Sequence, residues 1–192
     1  METIIPFWLK KLLTEKGAEQ VVQAVRNAEQ KTAAEIIPLV VSKSSVVYPE
    51  FKYGYIFCCL AAFLTVNPLF LLVIYGLHKL NRKIQQDYCR ARAIEEFSKL
   101  GLSNTSGQTG VLVMVSIQEK QVVILADKGI HDLIPLNTLD KIVNQLTPKI
   151  RTASLADGLE HALNQLGEVC GEILPRHKND QNELNDRLVI KE

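Results

Sequence analysis

The chain has 192 residues, of which 47% are hydrophobic and 22% charged; this fits one globular domain and excludes disorder and collagen-like architecture. Lys and Arg number 22 against 21 Asp and Glu, a net charge of +1, which gives no bulk reason to expect nucleic-acid binding. Four cysteines, Cys58, Cys59, Cys89 and Cys170, form no C-x-x-C pair, which speaks against a zinc ribbon or a thioredoxin-type site. Reduced thiols in a cytoplasm-facing protein are the plainer expectation.

In chain order, Thr14 is placed to cap a helix carrying Ala18, Val21, Val22, Val25 and Ala28 on one face. Residues 31–35 break that pattern. Ile36 to Val41 is β-branched and contains Pro38, which predicts an edge strand.

From Tyr53 to Leu77 no residue is charged. A helix of that length could cross a hydrocarbon layer of about 30 Å. Tyrosines lie near its ends, and Lys43, Lys52, Lys79, Arg82 and Lys83 flank it. Asn67-Pro68 divides the run, leaving two readings: one kinked span, or a hairpin of arms Tyr55–Val66 and Leu69–Leu80. Each arm would measure roughly 18 Å, too short to span, so the hairpin would dip into one leaflet and return. On that reading the inserted side chains are Tyr55, Phe57, Leu60, Phe63, Leu64, Leu69, Phe70, Leu72, Val73 and Ile74.

Gln85 to Leu100 reads as a helix with Tyr88, Ala91, Ile94, Phe97 and Leu100 on one face, stopped by Gly101. A Ser/Thr/Gly-rich loop follows. Gly110–Ile117 and Gln121–Asp127 are apolar runs joined by a polar turn, which predicts a hairpin buried on both faces. Thr138 can cap a helix running to about Leu146, before Pro148. Leu155–Leu174 is a longer amphipathic helix ended by Pro175, with Leu155, Leu159, Leu163, Leu166 and Cys170 among its inner residues. The tail 176–192 is polar until Leu188–Ile190, which can dock back.

This order predicts an α/β fold, a small mixed sheet sandwiched between helices, as a single domain over 1–190. An apolar membrane-inserting helical hairpin, residues 53–80, lies between the first strand and the following helix. If Ile36–Val41 pairs with the later hairpin, both flanks of the insert must lie on one side of a membrane, which favours the helical hairpin over a single span.

The segments Thr32-AAEIIPLVV, Gly110-VLVMVSIQEKQVVILADKGIHDLIP, Leu155-ADGLEHALNQLGEVCGEILP and Asn182-ELNDRLVI resemble the TPM domain family, and more narrowly its bacterial membrane-associated branch. The resemblance runs from about Thr14 to Ile190 and implies a sheet sandwiched by helices. Members of the family include thylakoid-lumen proteins implicated in photosystem repair and acid phosphatase activity, and an accessory protein of a neurotransmitter receptor. Their common thread is attendance on membrane protein complexes. Two departures stand out. Relatives of the membrane branch carry a longer insert, and many members carry an acidic residue just before the glycine that opens the second strand. Here Gln108-Thr109 precedes Gly110, so the resemblance carries over no complete calcium site.

Candidate chemistry gathers in ADKGIHDLIP, where Asp127, His131 and Asp132 follow the second hairpin strand. With Glu35 at the start of the first strand, Asp127 and Asp132 could bind calcium or magnesium, although no cofactor is the simpler expectation. The plainer role for Asp127 is a turn, accepting backbone hydrogen bonds beside Gly129. Cys170-GEILP-Arg176 has the C-x5-R spacing of cysteine phosphatases, but Cys170 falls late on an apolar helix face and no phosphate-cradling loop follows. His161 and His177 have no partners at metal-ligand spacing. The preferred expectation is a non-enzymatic domain anchored in the inner (cytoplasmic) membrane and facing the cytoplasm. Its partners would be the lipid bilayer and a membrane protein complex, and it would assist that complex's assembly or maintenance. The alternative is a metal-dependent phosphatase on the same fold.

Overall fold

A computed structural model describes residues 5–44, 68–152, 154–177, 180 and 182–192, with 68–74, 77, 151 and 152 given by backbone only. The elements are α1 (Glu15–Glu29), β1 (Glu35–Val41), α2 (Pro68–Lys99), β2 (Gly110–Ser116), β3 (Gln121–Ala126), the single turn α3 (Lys128–His131), α4 (Thr138–Thr152), α5 (Leu155–Ile173) and β4 (Val189–Lys191).

Four strands form one mixed sheet in the order β3-β2-β1-β4. β1 runs parallel to β2 (Glu35 opposite Gly110) and to β4, and β2 runs antiparallel to β3. The expected pairing of the first strand with the hairpin is present, and the tail docks back as β4. Apolar residues alternate between two cores. Ile36, Val40, Val111, Val113 and Ile124 face α1, α4 and α5, while Ile37, Leu39, Leu112 and Met114 face α2. The sheet is thus covered by helices on both faces, which is why β1 and β2 are buried along their whole length. β3, at the margin, is only partly buried.

Thr14 caps α1 as expected, its hydroxyl accepting from the Gly17 N–H at 3.1 Å. Three expectations change. β1 lies inside the sheet, not at its edge. The Glu35 N–H donates to Thr109 O, so alternate residues from Glu35 face β2, and Pro38 turns its missing donor toward β4. β4 pairs only from Leu39 onward, so no ladder bond is lost at Pro38. Pro148 lies within α4, where its ring and Asn144, four residues earlier, are on the exposed side and the freed carbonyl can meet water. The buried face of α2 is Cys89, Ala93, Glu96 and Phe97, whereas Tyr88 and Ile94 are exposed. The sequence pattern is ambiguous there because Glu96, buried at 1% exposure, replaces an apolar residue on the inner stripe.

The proposed second arm, Leu69–Leu80, is not a separate short helix. It forms the N-terminal part of α2, which runs unbroken for 32 residues. Pro68 starts that helix, where its lack of an N–H costs nothing. Tyr55, Phe57, Leu60, Phe63 and Leu64 lie outside the described residues. Leu69, Phe70, Leu72, Val73 and Ile74 fall in the first turns of α2, along its backbone. No helix among the described residues is long and apolar enough to cross a membrane.

Candidate functional site

The sheet end formed by the starts of β1 and β2 brings two of the sequence candidates near each other. Glu35 lies opposite Gly110, and the Asp127 N–H donates to Gly110 O at 2.8 Å. Glu35 and Asp127 therefore occupy one row across three strands, roughly 10 Å apart by strand spacing. Their carboxylates do different work. Asp127 caps α3, accepting from the Lys128 N–H at 2.7 Å. This turn needs Gly129: a Cβ there would lie 2.2 Å from Gly107 O, while the Gly129 N–H donates to Gln108 O. His131, the last residue of α3, and Asp132, its C-cap, are exposed.

Glu35 is buried, and its carboxylate accepts two consecutive backbone N–H groups, Glu183 to Oε1 at 2.9 Å and Leu184 to Oε2 at 3.2 Å. Burial raises its pKa, partly offset by those two donors, with Glu183 and Asp186 adding repulsion. The Glu183 carboxylate in turn accepts the Ser106 N–H at 3.1–3.2 Å.

Glu29, at the end of α1, is 6% exposed. Its Oε1 accepts the Ile36 N–H at 2.9 Å, filling the place a strand would take beside β1 below β4. When protonated, its carboxyl also hydrogen-bonds the neighbouring Asp186 carboxylate. Burial, then the neighbouring Asp186 and Glu35 carboxylates, push its pKa up from 4.5 to about 9, against the stabilising Ile36 bond. Arg26 faces Asp186 at 3.5 Å, and Arg176 donates to the Glu29 carbonyl at 2.8 Å.

Glu29, Glu35, Thr109, Arg176, His177 and Glu183 border a cleft of about 580 Å³. Its chemistry is a set of carboxylates, one held in its neutral form, with Arg176 and His177 on the rim. Among the described residues, no three His, Cys, Asp or Glu side chains converge to hold a metal ion together. In open sheets of parallel strands ligands gather beyond the carboxyl ends of the strands; this cleft lies at the amino ends of β1 and β2. Cys170 is fully buried in α5, its thiol pushed up to about 11 by burial, and Arg176 is engaged by α1, so the C-x5-R spacing makes no phosphate loop.

Glu29 and Glu183 escaped the sequence reading. Glu29 falls four residues after Val25, on the inner stripe of α1, and that spacing was the available signal. Glu183 was visible only as part of the N-E-L resemblance.

A family model described as the TPM domain matches residues 70–169, more than half of the chain. No curated protein matches it. Among solved structures, the NMR structure of BA42 protein from the psychrophilic bacterium Bizionia argentinensis is similar in fold, with a TM-score of 0.66, 23% identity and 99% coverage of both chains. The family match spans α2, the β2–β3 hairpin, the ADKGI turn and most of α5, and on that ground the chain belongs to the TPM domain family.

Proposed function

We propose that this TPM domain is attached to the inner membrane through its apolar run, and that its body faces the cytoplasm as an interaction module for a membrane protein complex. One observation carries the reading: the two flanks of the run leave the body at the same end. Ser44 closes the β1 side, its N–H held by the Glu119 carboxylate at 3.1–3.2 Å in the β2–β3 turn. Cys89 on α2 lies beside Ser44 and Ser116. From Cys89 back to Pro68, α2 extends about 31 Å. Tyr75, Lys79, Leu80, Arg82 and Lys83 are exposed along this stretch. Lys79 sits over the Tyr75 ring, 5.0 Å from its centre. Exposed aromatic and basic residues next to an uncharged run suit a membrane interface.

Membrane washing tests this. Hydrophobic insertion is not screened by salt, so the full-length protein should remain in the membrane fraction through high-salt and carbonate washes. Replacing residues 53–77 by a short Gly/Ser linker should release it. A full-length protein that is soluble and monomeric without detergent contradicts the proposal.

The second reading, a metal-dependent phosphatase, is favoured by the carboxylates of Glu35 and Glu183 beside Arg176 and His177 around one cleft. Magnesium is commonly held by one or two protein carboxylates plus substrate phosphate. Calcium or magnesium binding to the folded state should raise the melting temperature with concentration. No shift at millimolar metal counts against it.

A further inference from the structure

We propose that the open edge of β3 is a docking site for an extended, acidic segment of a partner protein, which joins the sheet as a fifth strand between α2 and α4. The proposal deepens the interaction-module reading by naming the partner's chemistry, and rests on it.

Among the described residues, nothing pairs with the outer side of β3, and the strand carries none of the usual guards. β3 ends the sheet. In its register with β2, with Asp127 N–H bonded to Gly110 O, the residues Gln121, Val123 and Leu125 face β2. Val122, Ile124 and Ala126 therefore turn their N–H and C=O groups away from it. Natural edges are blunted by charge, proline, a bulge or shortness. The opposite edge, β4, is three residues long and ends on Lys191. β3 is Gln-Val-Val-Ile-Leu-Ala, six residues with no charge, proline or glycine.

The edge is also reachable. A groove of about 800 Å³ runs between α2 and α4 down to Val122 and Ile124. Its walls carry Arg82, Arg90 and Lys120 against Asp87 and Asp140. None of the three cations has an ion-pair partner among the described residues. Main-chain bonds along such an edge supply affinity, and the surplus positive charge selects an acidic strand over a basic one.

The test uses the full-length protein in non-ionic detergent and two synthetic peptides of alternating Val and Thr, one with Glu and one with Lys at both ends. The Glu peptide should slow amide exchange at Val122, Ile124 and Ala126 by roughly tenfold or more, and the Lys peptide should not. Arg90 and Lys120 are exposed, so the double variant R90E/K120E should fold; it should weaken the Glu peptide by roughly tenfold. The proposal is overturned if the Glu peptide leaves those amides unchanged or if both peptides protect them equally. It is equally overturned if the amides are already protected in a peptide-free dimer, which would make a second copy the occupant. Membrane washing of the same samples reads attachment separately: release of the wild type, with peptide protection intact, contradicts the attachment and leaves the groove standing.

Discussion

Glu29 makes stability depend on pH in an unusual direction for a carboxylate. Its folded pKa of about 9 lies above the ordinary 4.5, so the folded state keeps a proton that the unfolded chain releases. The stabilisation is fully present below about pH 4.5 and is lost as pH rises toward 9, with a slope of at most about 1.4 kcal/mol per pH unit. Glu29→Gln keeps the acceptor for the Ile36 N–H and removes the titration. Urea melts at pH 5, 7 and 9 should show falling stability for the wild type and a flatter profile for the variant. A wild-type profile that rises across this range contradicts the assignment. Gly129 offers a second test. Its missing Cβ admits Gly107 O, so Gly129→Ala should cost about 1–3 kcal/mol through displacement of that turn. Chemical denaturation measures the cost, and an unchanged midpoint would mean that the turn yields freely.

The C-terminal segment is an element held mostly by side chains. Glu35 grips the Glu183 and Leu184 N–H groups, Asp186 faces Arg26, and β4 adds three residues beside β1. Buried Glu96 of α2 pairs with both Arg92, at 3.1 Å, and Lys191. Glu35→Gln leaves an amide donor facing a backbone donor, which should cost about 1–3 kcal/mol. Hydrogen exchange should quicken across residues 182–192 while α1 stays protected; uniform loss of protection would mean that Glu35 supports the whole core instead. The elements legible in the sequence were α1 and α5, each with a single clear helical period, and the β2–β3 hairpin, marked by two apolar runs around a polar turn. Pro38 and Pro148 misled because a proline's cost depends on where its missing N–H points, which only the partner strand or the solvent side decides. The inner face of α2 was misplaced because Glu96 is buried through ion pairs with Arg92 on its own helix and with Lys191 of the distant tail.

Across the whole molecule, the layers and the sheet end bearing Glu35 and Asp127 follow from pattern and strand order. The cleft itself joins Glu29, Glu35 and Glu183, separated by up to 154 positions in the chain, through tertiary contacts that no local spacing encodes. Attachment through the apolar run depends on where its two flanks leave the body. β1 and β2 form one sheet, and Ser44 and α2 meet beside Cys89. A strand cannot pair across a bilayer without leaving its backbone groups unbonded, so membrane attachment of the proposed kind requires Lys43 and Arg82 to share one face.

Cysteine labelling tests that claim most directly. Cys89 and Cys170 are fully buried and can stay, while Cys58 and Cys59 are replaced by alanine. Lys43→Cys and Arg82→Cys are then introduced singly and treated with a membrane-impermeant thiol reagent, in intact cells and in inverted vesicles. The account predicts that both positions are protected in cells and both labelled in inverted vesicles. Opposite accessibility of the two positions would contradict it, making the apolar run a single span and dividing the sheet between two compartments.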